Sequence, residues 1–212
     1  NPAEGKTIDI VYQDDVMVII NKPAEFLSVP GKNIEDSVYL RIKQAYPSAT
    51  GPLIVHRLDM STSGLMVIAL NKEAHKVLQK QFIRRTVKKR YIALLDGLIE
   101  ADEGSIELPI RVDLDDRPRQ LVCYEHGKMA KTNWQVIERN NKQTKVYFEP
   151  ITGRTHQLRV HSAHISGLNT AIVGDDLYGK TAERLHLHAE RLEIAHPITQ
   201  EQMTFQIDAT FP

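Results

Sequence analysis

The stretch HRLDMSTSG, residues 56–64, places one carboxylate, Asp59, just before an apolar run, and Arg57 lies two residues before that carboxylate. Burying a carboxylate is unfavourable unless a partner or a chemical task keeps it there. Two interpretations stay open from the spacing alone. Asp59 is a structural residue that pairs with Arg57 or accepts backbone N–H groups in a turn, or it is the acid, base or nucleophile of a reaction.

Two further residues favour chemistry. The string GRTHQLR supplies Arg154 at the start of a predicted helix, where a guanidinium can clamp a carboxylate in a bidentate pair. The string KKRYIAL supplies Tyr91 at a strand start, directly behind the most basic run. An enzyme that acts on an extruded RNA base needs cations for phosphates, a flat ring for the base and one oriented reactive group. An RNA-binding protein without catalysis is the alternative.

The charge distribution supports a nucleic-acid partner although the net charge is zero, with 27 basic and 27 acidic residues. Seven of the fifteen residues from 76 to 90 are Lys or Arg and none is acidic, whereas residues 96–116 contain eight acidic residues and one Arg. A phosphate backbone responds to the local field rather than to the total charge. We therefore predict that Lys88, Lys89 and Arg90 bind RNA; a solvated helix face is the alternative.

Nine histidines raise the possibility of a metal hydrolase built on His156, His161, His164, His186 and His188. Their spacings match neither HExxH nor a Cys/His zinc pattern, so we expect them to cap and pack and expect no bound metal. The sequence contains no GxxxxGK[ST], GxGxxG or GxSxG, which argues against a nucleotide cofactor and a serine hydrolase.

Length and composition predict an ordinary globular chain, with 212 residues, 42% hydrophobic and 25% charged, forming a single domain over residues 1–212. The single cysteine, Cys123, cannot form an intrachain disulfide and is expected to be a small buried hydrophobe. No apolar run reaches the roughly 18 residues of a membrane span, and the first residues lack the order of a signal peptide. We therefore expect a cytoplasmic protein with no membrane contact.

Hydrophobic periodicity predicts the elements that position these residues, and the fold class that follows is α+β with a mixed, largely antiparallel sheet flanked by helices and loops. Asp36 is the predicted N-cap of the first helix, and Asn71 caps a second helix whose apolar stripe includes Val77. A third helix is predicted over residues 151–167, closing at Gly167. Strands are predicted over 8–12, 16–20, 65–70, 91–95, 145–148, 185–194 and 203–207, with a hairpin of 120–124 and 132–136 around His126-Gly127.

An ordered set of strings resembles the RluA family of pseudouridine synthases. HRLDMSTSG matches the family's HRLDxxTSG motif, and NKP, SVPG, KKRYIAL, ITGRTHQLRVH, GDDLYG and LHAERLEIAHP occur in the family's order along nearly the whole chain. Each string alone is weak, but the ordered set is highly specific. No N-terminal S4-type RNA-binding segment is recognised.

The resemblance implies a cofactor-free isomerase with the pseudouridine synthase catalytic fold. A uridine is flipped out of a structured RNA, its N1–C1′ bond breaks, and C5 joins C1′. By motif, Asp59 is the catalytic aspartate, acting as nucleophile or base, and Arg57 fills the space of the flipped base or holds the displaced strand. Tyr91 stacks on uracil and can also serve proton transfer at C5, Arg154 orients and neutralises Asp59, and Leu158 forms the floor of the base pocket.

The resemblance also implies the partners, a 23S rRNA stem-loop and a tRNA anticodon stem-loop, and a monomer. Two departures from the family lie in loops. Glu25-Phe26 stands where the family commonly has Gly-Leu, and Asn169-Thr170 stands where it often has His-Pro. Because these departures affect loops, the reaction type is predicted more firmly than the choice of target.

Overall fold

A computed structural model of the chain describes residues 6–34 and 36–212. Residues 1–5, which belong to the N-terminal stretch considered as a signal peptide, lie outside the described residues. The helices are α1 Val38–Ala45, α2 Lys72–Ile83 and α3 Gln157–Ala163. The strands are β1 Asp9–Gln13, β2 Met17–Lys22, β3 Ser63–Ala69, β4 Lys88–Leu95, β5 Glu103–Glu107, β6 Ile110–Val112, β7 Gln120–Val122, β8 Lys131–Arg139, β9 Thr144–Pro150, β10 Leu187–Ala195 and β11 Gln202–Gln206.

The chain divides into two compact units, one containing the residues up to Lys89 together with Ala189–Thr210, the other containing Arg90–His188. The first unit contains a sheet in the order β1, β2, β3, β10, with β11 paired to β10. The pairs β1–β2, β2–β3 and β10–β11 are antiparallel. The prediction of a single catalytic domain stays a prediction.

The core of the first unit lies between this sheet and α2. Every residue of β3 is buried, and Leu65 and Val67 pack with Ala74 and Leu78 of the helix. The helix begins where predicted because the Asn71 side chain accepts a hydrogen bond from the backbone N–H of Ala74. A buried strand after the Asp59 turn is therefore confirmed.

The second unit is built on β4, β9, β8 and β5 in that order, together with a small two-stranded sheet of β6 and β7. The pairs β4–β9, β9–β8, β8–β5 and β6–β7 are all antiparallel. Trp134, Val146 and Phe148 belong to its core. Antiparallel pairing in both units, with three helices among the described residues, confirms the predicted α+β class.

Two predicted details of the first two helices are wrong. The N-cap of α1 is Ser37, whose side chain accepts from the Leu40 N–H, because the Asp36 carboxylate is instead paired with Arg41 at 2.9 Å. On α2 the predicted apolar stripe shifts, because Val77 is 39% exposed and His75 is buried in its place. A histidine can take such a position when its ring nitrogen has a partner, here the Ile54 carbonyl at 2.8 Å.

The predicted hairpin around His126-Gly127 is wrong, because β7 pairs with β6 and β8 pairs with β5 and β9. After β7 the chain turns back on itself: the Gly127 N–H donates to the Cys123 carbonyl at 2.8 Å. A Cβ at Gly127 would lie 2.4 Å from that oxygen, so the close return requires glycine. The strands β5 and β6 were missed because they have only five and three residues, and Gly104 and Pro109 interrupt the pattern of their stretch.

The third helix is shorter than predicted, because His156 adopts a left-handed backbone conformation with φ 54° and the helix begins only at Gln157. Arg154 therefore lies in the turn before the helix rather than in it. Cys123 is half-buried rather than a core residue, and a hydrogen bond from the His126 N–H lowers the pKa of its thiol. Among the described residues, no helix has the length and apolar character to cross a membrane.

Candidate active site

The turn that carries Asp59 is attached to β3 and α2 through His56. The Nε2 atom of His56 accepts a hydrogen bond from the Val67 N–H at 3.0 Å, and the ring stacks on Phe82 with centroids 4.5 Å apart. Burial, and then the nearby charge of Lys89, lower the pKa of His56 to about 3. The imidazole is therefore a neutral acceptor at physiological pH and fixes the start of the turn.

Two motifs from earlier in the chain hold the backbone on both sides of Asp59. The Ser28 hydroxyl donates to the Leu58 carbonyl at 2.7 Å and accepts from the Leu58 N–H at 3.1 Å. On the other side, the Met60 carbonyl accepts from the Phe26 N–H and from the fully buried Lys22 ammonium, both at 3.1 Å. The strings NKP and SVPG therefore anchor the Asp59 turn.

The side chain of Asp59 is half-buried, and Arg57 is exposed. The Asp59 carbonyl accepts from the Thr62 N–H at 3.1 Å, which closes the turn. The structural alternative of an Asp59–Arg57 ion pair is wrong, because within residues 6–34 and 36–212 the Arg57 guanidinium makes no hydrogen bond or ion pair. The arrangement is a rigid turn that presents a partly accessible carboxylate.

Glycine is required where this turn enters β3. Gly64 has φ 125°, and a Cβ there would lie 2.3 Å from the Ala189 carbonyl oxygen. The close approach of two backbones at this point excludes any side chain. The glycine of the TSG string is therefore required by backbone geometry, independently of any role in the reaction.

Tyr91, Arg154 and Leu158 lie in the second unit, whereas Asp59 and Arg57 lie in the first. Tyr91 is half-buried on β4, pairs with Phe148 of β9 and packs on the core cluster that contains Leu158, which is 6% exposed. The structure thus brings Tyr91 and Leu158 to the same cluster.

The Arg154 turn is organised by Gln157. The Gln157 Oε1 atom accepts from the Thr152 hydroxyl at 2.6 Å and from the Arg154 N–H at 3.0 Å. Its Nε2 atom donates to the Lys131 carbonyl and to the Thr132 hydroxyl, both at 2.9 Å. The Arg154 Nε atom donates to a carbonyl of the same unit, that of residue 129, at 3.1 Å. Four hydrogen bonds to one buried amide therefore fix the backbone that presents this guanidinium.

A second network holds the other side of α3. The Tyr178 hydroxyl accepts from the Gln120 N–H and is hydrogen-bonded to His156 Nδ1, both at 2.8 Å. Burial raises the pKa of Tyr178, which keeps the phenol neutral. Arg159 makes a fully buried ion pair with Asp175 at 2.6 Å. The GDDLYG string therefore ties the start of α3 to β7.

The three predicted RNA-binding residues at the start of β4 differ in their surroundings. Lys88 is exposed, whereas burial lowers the pKa of Lys89, whose charge acts on His56. The Arg90 guanidinium lies 4.1 Å from the centre of the Tyr147 ring. All three belong to a strand rather than to the basic helix.

The histidines considered for a metal site have other partners. His161 is hydrogen-bonded through Nδ1 to Thr132 and through Nε2 to the Leu108 carbonyl, and burial lowers its pKa to about 4. His164 Nδ1 accepts from the Ser166 N–H, and His186 Nδ1 is hydrogen-bonded to the Arg184 carbonyl. In the part of the chain that the structure describes, no three His, Cys, Asp or Glu side chains are placed to hold a metal ion.

Sequence reasoning missed four residues that hold the backbone of the candidate site. Lys22, Ser28, Gln157 and Tyr178 act by hydrogen bonds to distant backbone or side chains. In the sequence these residues are marked only by their place in the strings NKP, SVPG, ITGRTHQLRVH and GDDLYG. The residue pattern predicts no role for them.

Comparison with known proteins identifies relatives of the whole chain. Residues 16–164 match the family model described as RNA pseudouridylate synthase. The chain is 47% identical to a "Dual-specificity RNA pseudouridine synthase RluA" of Haemophilus ducreyi and 45% identical to that of Escherichia coli K12, covering 100% of this chain and 97% of each relative. Among solved structures, it is similar to Human RNA Pseudouridylate Synthase Domain Containing 1, with a TM-score of 0.81 and 28% identity over 100% of this chain and 87% of that one. A second human structure, Domain Containing 4, has a TM-score of 0.76 and 26% identity, covering 94% of this chain and 88% of that one.

Proposed function

The chain belongs to the RNA pseudouridylate synthase family, and from this premise we propose that it converts specific uridines to pseudouridine in a 23S rRNA stem-loop and a tRNA anticodon stem-loop. The observation that carries the proposal is the anchored turn of residues 56–64. Its carboxylate, Asp59, is partly accessible while Ser28 and Lys22 hold the backbone on both sides. Relatives with 45–47% identity over the full chain are named for this reaction.

The reaction is an isomerisation and needs no net reactant. The bond between uracil N1 and ribose C1′ breaks, the uracil turns, and C5 bonds to C1′. The proton on C5 leaves and N1 acquires a proton, so the composition of the RNA does not change. An enclosed base favours this sequence because reattachment is then an intramolecular step.

Asp59 is the catalytic aspartate in this proposal, as nucleophile or as base. A turn that holds its backbone rigidly lowers the reorganisation needed to bring the carboxylate to the sugar or base. The roles that the family resemblance implies for Arg57, Tyr91, Arg154 and Leu158 belong to the same proposal, as does RNA binding by the basic start of β4. The protein is expected to act in the cytoplasm, as a monomer and without a cofactor.

Release of tritium from RNA labelled at C5 of uridine tests the activity directly. The wild type is expected to release tritium, and Asp59→Asn is expected to lose at least about 100-fold in rate while it keeps the wild-type Tm. Equal activity of the two proteins would remove Asp59 from its role. A wild type that binds RNA but forms no carbodiimide-reactive pseudouridine would instead establish the non-catalytic RNA-binding alternative.

The choice of target needs a separate measurement. Pseudouridine maps of 23S rRNA and tRNA from cells with and without the gene are expected to differ at one rRNA position and at tRNA anticodon stem-loop positions. A difference confined to one of the two RNA classes would contradict dual targeting and leave the reaction type intact.

A further inference from the structure

The solvent side of α2 carries a line of cations. Lys72, Lys76 and Lys80 occupy every fourth position of the helix, and the C-cap residue Arg84 continues the series. Each step turns about 40° and rises about 6 Å, so the four side chains follow one arc of about 120° over about 18 Å. The centre of that arc is opposite the buried residues Ala74, Leu78 and His75. We call these four exposed residues the α2 ridge.

The cations of the α2 ridge are free. Within the described part of the chain, none of the four side chains takes part in a hydrogen bond, an ion pair or a ring contact. Other cations of the surface are paired, for example Lys131 with Glu107 at 3.4 Å and Lys145 with Glu138 at 3.6 Å. The α2 ridge is therefore available to a partner.

The spacing of the α2 ridge and its first residue are unfavourable for the helix that carries it. Like charges at i and i+4 repel, and Lys72 stands at the positive end of the helix dipole, where only Glu73 offers compensation. Lys80 in the last turn and the C-cap residue Arg84 are favourable at the negative end of the dipole, but the repulsion along the row and the charge at Lys72 are not compensated in this way, and a partner of opposite charge would compensate them.

The buried side of α2 contacts the segment that leads to Asp59. His75 is hydrogen-bonded to the Ile54 carbonyl at 2.8 Å, and Phe82 stacks on His56. The ridge faces the other way and is therefore separated from this segment by about one helix diameter, or about 10 Å. A ligand on the ridge thus lies outside the nucleotides that surround a base at Asp59.

We propose that the α2 ridge is an accessory docking surface for the phosphate backbone of the RNA stem next to the target loop. The inference rests on the proposed function. The ridge is a convex row of lysines and one arginine without an aromatic ring, which suits backbone phosphates rather than bases. Because backbone contacts carry no sequence information, one ridge serves stems of different sequence, as two RNA targets require.

The ridge cations differ from the basic residues at the start of β4 in how much they can contribute to RNA affinity. Lys89 is half-buried and its charge acts on His56, and the Arg90 guanidinium lies over the Tyr147 ring. The free ridge cations lose less on meeting a phosphate because they give up no existing contact. The salt dependence of RNA binding is therefore carried by the α2 ridge to a larger extent than by these two residues.

The test compares two double variants with the same loss of charge. Lys76→Gln with Lys80→Gln alters the ridge, and Lys43→Gln with Lys142→Gln alters two other exposed lysines, one in α1 and one between β8 and β9. Binding of a fluorescent RNA stem-loop is measured by anisotropy across salt concentrations. Loss of two phosphate contacts reduces the slope of log K against log salt by about 1.4 to 1.8 and weakens binding roughly 10- to 50-fold near 0.1 M salt.

The control pair is expected to keep the wild-type slope, and Lys76→Arg with Lys80→Arg is expected to keep it as well. A ridge variant with the slope of the control pair overturns the proposal, and would leave an acidic protein surface as the partner to test. Because glutamine is a good helix former, the ridge variant is expected to keep the wild-type Tm, which separates lost docking from unfolding.

The reaction provides the second readout. At saturating RNA the ridge variant is expected to keep the wild-type rate of tritium release, with KM raised about as much as Kd. A fall in the saturated rate would overturn the docking role and place the lysines in the reaction itself. A wild type with no activity at all would contradict the proposed function. The binding comparison would still test whether the α2 ridge docks RNA.

Discussion

Acid should destabilise this protein through the histidine that attaches the Asp59 turn. His56 is a neutral acceptor for the Val67 N–H, and its burial lowers the pKa to about 3 from an ordinary 6.5. The folded pKa lies below the unfolded one, so the unfolded chain binds more protons throughout the window between them. Stability is therefore expected to fall as the pH drops through 6.5 toward 3.

The magnitude follows from the two pKa values. Between pH 7.5 and 5, His56 should remove about 2 kcal/mol from the free energy of unfolding. His161, whose pKa is lowered to about 4 mainly by burial, should remove about 2 kcal/mol more. Together they amount to a large part of the 5–15 kcal/mol that is usual for a folded domain.

Urea unfolding at a series of pH values measures this loss. His56→Gln keeps an acceptor oxygen near the Val67 N–H but cannot take up a proton, so its loss between pH 7.5 and 5 should be about 2 kcal/mol smaller than that of the wild type. His126→Gln is the matched control, because the side chain of His126 is 62% exposed. If His56→Gln and the wild type lose the same free energy on acidification, the role of His56 as a neutral acceptor is refuted.

Three further outcomes are expected. Ser28→Ala should lose about 1–3 kcal/mol in urea unfolding and should also lower tritium release, because both backbone groups of Leu58 lose their partner; unchanged values would contradict the anchor. Tyr178→Phe should raise KM for RNA more than it lowers kcat, because the Gln120 N–H at the start of β7 and His156 Nδ1 before α3 lose their shared partner; a loss in kcat alone would count against this role. Glu25→Gly should raise the stability by about 0.5–1 kcal/mol, because Glu25 has φ 58°, and a lower Tm would refute the strain.

Local signals were sufficient for elements whose ends are set within a few residues. The cap of α2 was predicted from Asn71 because a side chain three positions before the N–H it binds is a short-range feature. The hairpin after β7 was wrong because strand partners are chosen over long distances. Pairing of β7 with β6 depends on the return of the chain at Gly127, which the string itself does not distinguish from a hairpin turn.

The candidate reactive residue could be singled out from the sequence, whereas the residues that hold its turn could not. Asp59 was conspicuous because a carboxylate next to a buried strand is unfavourable. Lys22 and Ser28 act on backbone groups thirty or more positions away, and a bond of that kind produces no periodicity and needs no particular residue at the other end. Only the ordered strings of the family placed these two residues near the site.

The anchors explain why the strings NKP, SVPG and HRLD come as a set. Ser28 and Lys22 bind the backbone of Leu58 and Met60, and every residue type has these backbone groups. The side chain of Met60 is 41% exposed and is not needed for its carbonyl to be held. The sequence constraint therefore falls on Ser28, Lys22 and Asp59. It does not fall on Met60, because the position of the carboxylate is defined by hydrogen bonds to the main chain on both sides of Asp59.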